Sequence, residues 1–154
     1  MEWNNHYVAT PWLLLDADLS AWRSRFTEPD PADPTVGNRI PGSIQTVVSL
    51  GATVVDLWPW FGQFQLRYFG PRPLIEDNSQ RSKATTLMYL HVGYKIDKNL
   101  KLSLDVFNLF DRKGSDIDYY YTSRLKGEPA EGVNDTHFHP VEPRSLRLSL
   151  TANF

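Results

Sequence analysis

The chain has 154 residues, a net charge of −2 and no cysteine, which leaves room for one domain and excludes a disulfide scaffold and a thiolate metal site. Lysine and arginine occur singly or beside acids, so no nucleic-acid surface is indicated. The longest apolar run, Trp12 to Leu15, falls far short of the ~20 residues of a membrane-spanning helix, but this does not exclude a β-barrel, where only alternate strand residues face lipid.

Residues 1 to 7 are too few to assign, although Trp3 and Tyr7 fit the tail of a strand. Val8 to Pro11 reads as a tight connection, because Pro11 has no N–H for a ladder and holds Thr10 extended. From Trp12 to Phe26, Leu13, Leu15, Ala17, Leu19 and Ala21 alternate with Asp16, Asp18 and Ser20, the period of a strand with one apolar face. Thr27 to Ser43, with four prolines, two glycines and three acids, is a long loop. Ile44 to Asp56 alternates again, Leu57 to Pro59 turns, and Trp60 to Gly70 sets Phe64, Leu66 and Tyr68 against Gln63, Gln65 and Arg67.

Pro71 to Lys83 is a second polar loop. Ala84 to Ile96 opposes Met88, Leu90, Val92 and Tyr94 to Tyr89, His91, Gly93 and Lys95. Asp97 to Asn99 is a hairpin turn, and Leu100 to Phe110 opposes Leu102, Leu104 and Val106 to Lys101, Ser103 and Asp105. Asp111 to Pro143 is the longest connection, expected to be a loop of the functional or disordered kind. Arg144 to Phe154 closes the chain with Leu146, Leu148, Leu150, Ala152 and Phe154 on one face and Ser145, Arg147, Ser149, Thr151 and Asn153 on the other.

The expected fold class is therefore all-β, an antiparallel up-and-down meander of about six strands. Two features make it an open segment of a transmembrane β-barrel. The connections run long, short, long, short, long, which puts the short turns at one end, and the charges keep to one face, with Asp16, Asp18, Arg67, Lys95, Lys101, Asp105 and Arg147 all opposite the leucines. Aromatic residues make up 13% of the chain and sit near segment ends, where interfacial girdles lie. The rival expectation is a small soluble β-sandwich that binds a ligand or partner through residues 111–143, and a further one is several copies completing a single barrel.

Leu102-Ser-Leu-Asp-Val-Phe-Asn-Leu-Phe-Asp-Arg112, followed by Glu142-Pro-Arg-Ser-Leu-Arg-Leu-Ser-Leu-Thr-Ala-Asn-Phe154, resembles the C-terminal barrel portion of TonB-dependent outer-membrane receptors. The positions that carry the resemblance are Asn108, Leu109, Phe110, Asp111, Pro143, Arg144 and Phe154. It implies a 22-stranded barrel filled by a plug, importing iron chelates, cobalamin or similar nutrients from a place in the bacterial outer membrane. It also implies outer-membrane lipid, the plug and the earlier strands as partners, and Phe154 as the signal read by the barrel-assembly machinery. Residues 1–154 show no plug, coupling box or signal peptide, so the whole chain is expected to be the last part of such a receptor. Six strands alone would leave open edges in hydrocarbon.

The ligand-contact candidates are Tyr119, Tyr120 and Tyr121 with Arg124, an aromatic surface with a cation, and the pair His137 and His139. His137 and His139 with Asp135 and Glu142 have the donor types of a metal site, but a solvated loop is the simpler reading and no metal is expected. Asp16 and Asp18 are better explained as lumen charges than as paired catalytic carboxylates. No phosphate loop, nucleophile elbow or metalloprotease helix is present, so neither enzyme activity nor a cofactor is expected.

Overall fold

Wherever leucine, β-branched and aromatic side chains alternate with small polar ones, the chain is extended and paired. The structure, a computed structural model, describes residues 1–28, 31–33 and 35–153; Phe154, the expected assembly signal, lies outside the described residues. The strands are β1 (Glu2–Thr10), β2 (Leu13–Ala21), β3 (Thr46–Leu57), β4 (Trp60–Phe69), β5 (Thr85–Lys95), β6 (Leu100–Phe107), β7 (Ser115–Ser123), β8 (Val133–Pro140) and β9 (Ser145–Ala152). Seven form one antiparallel sheet in the order β1-β2-β3-β4-β5-β6-β9, and β7 and β8 pair only with each other.

Two sequence expectations need correction. The opening residues are a full strand, with Glu2 to Val8 paired along β2 from Ser20 to Leu14, and the turn is Pro11-Trp12 rather than Val8 to Pro11. The connection from Asp111 to Pro143 is not structureless. It carries the β7–β8 hairpin, in register from Ser115 opposite Pro140 to Ser123 opposite Val133.

Because side chains alternate, register fixes the faces. One side of the sheet shows continuous apolar rows: Tyr7, Leu15, Ala52, Phe64, Leu90, Val106 and Leu146 stand side by side across seven strands. The next row toward the short turns is Leu13, Val54, Gly62, Val92, Leu104 and Leu148. Aromatic rings flank the face, with Trp60 beside Tyr94 at the short-turn end and Trp3 and Tyr68 at two places along the Leu19–Val48 row toward the long connections. Nothing covers it. Leu146, Leu148 and Leu150 are 68%, 70% and 66% exposed, and Leu74 and Val106 are the buried hydrophobic residues of the described chain. A sandwich needs a second layer about 10 Å away. Among the described residues no strand packs across the leucine face, so the chain is a single-layer meander and not a two-layer sandwich.

The connections divide as the rhythm implied. Pro11-Trp12, Trp58-Pro59 and the Ile96 to Asn99 turn lie at one end, the last closed by Asp97, whose carboxylate accepts from Asn99 N at 2.7 Å and Leu100 N at 2.9 Å. At the other end the long segments are tied together. Ser82 N donates to Arg72 O at 2.9 Å, Leu74 N to Gln80 O at 2.9 Å and Gly42 N to Pro73 O at 2.8 Å, with Pro73 fully buried at the centre.

Candidate functional site: the polar face and the loop end

The polar face of the sheet is built from the residues between the leucines. Asp16 and Asp18 of β2 point to it; Asp16 lies opposite Gly51, and a side chain there would run into the Asp16 carboxylate. Farther along, His91, Asp105 and Arg147 fall side by side on β5, β6 and β9. His91 Nδ1 and Asp105 Oδ1 are 2.7 Å apart, and the Arg147 guanidinium stands 5.2 Å from the Phe107 ring. With Gln63, Gln65, Arg67, Tyr89 and Phe107, His91 and Asp105 line a recess of about 310 Å³. These hydrogen-bonding groups make a wall suited to polar contacts.

At the loop end the hairpin is held by a buried ion pair. Arg72 Nη2 donates to Asp118 Oδ2 at 2.9 Å and to Asp116 O at 2.8 Å, with side-chain exposures of 10% and 6% for Arg72 and Asp118. Thr85 Oγ1 adds a bond to Ser115 O at 2.7 Å. Asn108 fastens the other side. Its Nδ2 donates to Arg112 O at 3.1 Å and Glu142 O at 2.9 Å, while its Oδ1 accepts from Arg112 N at 2.9 Å. Asp111 Oδ1 accepts from Arg144 N at 2.9 Å. Asn108 and Asp111 have φ of 48° and 49°, a left-handed geometry that asparagine and aspartate tolerate best after glycine. The Asn-Leu-Phe-Asp run is thus a clamp between the exit of β6 and the approach to β9.

Among the solved structures whose fold is similar to this chain's, two match over 99% of it. The ferric yersiniabactin uptake receptor FyuA from Yersinia pestis matches with a TM-score of 0.71 at 19% identity, and the copper transporter OprC with 0.66 at 20%. The chain spans 23% of the length of each. This is the fold of a stretch of a TonB-dependent receptor barrel. No protein-family model and no curated protein matches the sequence.

On this barrel section the loop candidates separate into groups. Tyr119 and Tyr121 share one face of the hairpin with His137 and His139: the Tyr121 and His137 rings stack at 4.0 Å, and Tyr119 meets His139 edge-on at 6.1 Å. Tyr120 points the other way by alternation, so the three tyrosines are not one surface. All three nevertheless line a recess of about 660 Å³ against Pro41, Leu74 and Ile75. Arg124 lies just past β7 at the hairpin tip, its Nε donating to Glu128 O at 3.3 Å. Asp135 Oδ1 accepts from the adjacent Thr136 N at 2.6 Å, and among the described residues no three His, Cys, Asp or Glu side chains gather as for a metal ion. The sequence reading missed the Arg72–Asp118 pair, which joins two segments read as loops. For the role of Asn108 the Asn-Leu-Phe-Asp pattern itself is the available signal.

Proposed function

We propose that residues 1–154 are the C-terminal part of the barrel of a TonB-dependent outer-membrane receptor that imports a scarce nutrient such as an iron–siderophore chelate. In this role the leucine face meets outer-membrane lipid. The polar face with Asp16, His91, Asp105 and Arg147 lines the lumen and meets the plug. The edge of β9, with the terminal Phe154, is what the barrel-assembly machinery takes up, and both sheet edges pair with the rest of the receptor. The hairpin bearing Tyr119, Tyr121, His137 and His139, with Tyr120 and Arg124, is the ligand-contacting part of an outer loop. The reading includes no catalysis by this chain.

The observation that carries the proposal is the uncovered apolar face flanked by aromatic rings. Trp60 and Tyr68 are eight residues apart on β4, about 26 Å along the strand and about 20 Å along the normal of a tilted barrel wall. With the rings themselves this approaches the ~25 Å apolar band of outer-membrane barrels. Buried in water-free hydrocarbon, these leucines gain what they lose exposed to water, about 25 cal/mol per Å².

The chain has no cysteine, so single cysteines report cleanly. Nitroxides at positions 102 to 105 of β6, with the protein in lipid bilayers, are expected to alternate. Labels at Leu102 and Leu104 collide with lipid-soluble oxygen, and those at Ser103 and Asp105 with a water-soluble nickel chelate. Equal aqueous access at both sets refutes the lipid-facing wall.

A further inference from the structure

The chain has four histidines, and two of them, His137 and His139, stand two residues apart on β8. A solvated loop would leave these rings free to point anywhere. The β7–β8 ladder instead holds the segment extended, so both imidazoles leave it on one face, about 6.6 Å apart at the backbone. Tyr119 stands directly opposite His137, and Ile117 opposite His139. The rings interleave along the hairpin, with Tyr121 stacked on His137 and Tyr119 edge-on to His139. The other two histidines lie apart, His6 on β1 and His91 on β5, where Asp105 holds its Nδ1 at 2.7 Å.

His137 also carries an unpaired nitrogen. Its Nε2 is sealed from solvent and has no hydrogen-bond partner among the described residues, although buried ring nitrogens ordinarily have one. The stacked Tyr121 ring covers a face of the imidazole, a contact that offers nothing to a nitrogen in the ring plane. A turn about χ2, a torsion with a broad two-fold profile, is enough to bring a ring nitrogen out beside His139. An imidazole nitrogen with no partner competing for it, next to a second imidazole on the same face, is a donor pair for a late first-row metal ion.

We propose that His137 and His139 together bind a late first-row divalent metal ion, copper(II) most tightly, on the ring-bearing face of the β7–β8 hairpin. Copper(II) leads because affinities in this series peak at it, and because its tetragonal geometry takes two nitrogens with oxygens from water or the Tyr121 phenol. Metal–nitrogen bonds of about 2.0 Å put the two nitrogens about 3 Å apart, so each ring leans inward by about 2 Å from the backbone spacing. Among the described residues no third histidine or carboxylate joins them. Structural sites use four protein ligands, so a site with two captures an ion and lets it go again. Magnesium and calcium, which call for oxygen ligands, are not taken. The proposal rests on the hairpin being the ligand-contacting part of the chain, and it names a metal ion with open coordination positions as the ligand. It does not need the leucine face to meet lipid, so metal binding in detergent and the nitroxide pattern in bilayers fail separately.

The test titrates the detergent-solubilised full chain with copper(II), zinc(II) and magnesium(II) chlorides. The copper(II) complex is read by electron spin echo, whose decay is modulated by the remote nitrogen of each bound imidazole. The expected result is a signal from two imidazoles, weaker competition by zinc(II) and none by magnesium(II). His137→Ala and His139→Ala should each weaken copper binding at least about tenfold and leave one imidazole in the signal, since even the outer partners of a metal ligand are worth roughly 10- to 100-fold. His6→Ala should change neither. In the wild-type chain, copper(II) with ascorbate and oxygen should oxidise His137 and His139 before His6 and His91, as mapped by mass spectrometry. A signal from a single imidazole in the wild type, oxidation that spares His137 and His139, or unchanged binding in a folded His137→Ala protein overturns the proposal. The oxidation map needs no variant, so it decides even where His137→Ala does not fold.

Discussion

Asn108→Ala should destabilise the protein by about 3–4 kcal/mol, as the geometry of the clamp allows one to work out. The buried side chain makes three hydrogen bonds, and its loss strands Arg112 N–H and the carbonyls of Arg112 and Glu142. Partly buried groups left unpaired cost about 1 kcal/mol each at the low end of the range, or about 3 together. Alanine at a φ of 48° adds about 1 kcal/mol of left-handed strain. Asn108→Gly loses the same bonds but not the strain, so it should recover about 1 kcal/mol. Denaturant unfolding in phosphocholine micelles, followed by tryptophan fluorescence, measures all three proteins. A loss below about 1 kcal/mol in Asn108→Ala, or a glycine variant no better than the alanine one, would show that the clamp does not hold the β6 exit to the β9 approach.

Two more outcomes follow from single contacts. Asp118→Ala leaves Arg72 buried without its anion and should cost about 3–5 kcal/mol, freeing the β7–β8 hairpin for proteolysis, whereas Arg72→Leu with Asp118→Leu should recover most of that loss; equal protease sensitivity of the single and double variants would count against it. Leu148→Arg on the apolar face should cost about 2–4 kcal/mol in a bilayer and Ser149→Arg on the polar face close to nothing, a contrast that equilibrium refolding into lipid vesicles measures and that disappears if both faces are wet.

The sequence alone determined the faces, the rhythm of the connections and the antiparallel meander. A side-chain period of two leaves little freedom: once Leu50, Leu66 and Met88 share a row, Ser49, Arg67 and Leu87 must share the opposite one. β1 escaped because its apolar face reads Trp3, Asn5, Tyr7, with a polar residue interrupting the pattern. β7 and β8 escaped because tyrosine and aspartate occupy both faces of the hairpin, so no alternation marks them. Tertiary structure alone decided the loop end. The Arg72–Asp118 pair spans 46 residues, and the Asn108 bond to Glu142 spans 34. Such contacts form only after the sheet has brought its long connections to one end, and local pattern carries no record of which side chains will meet there.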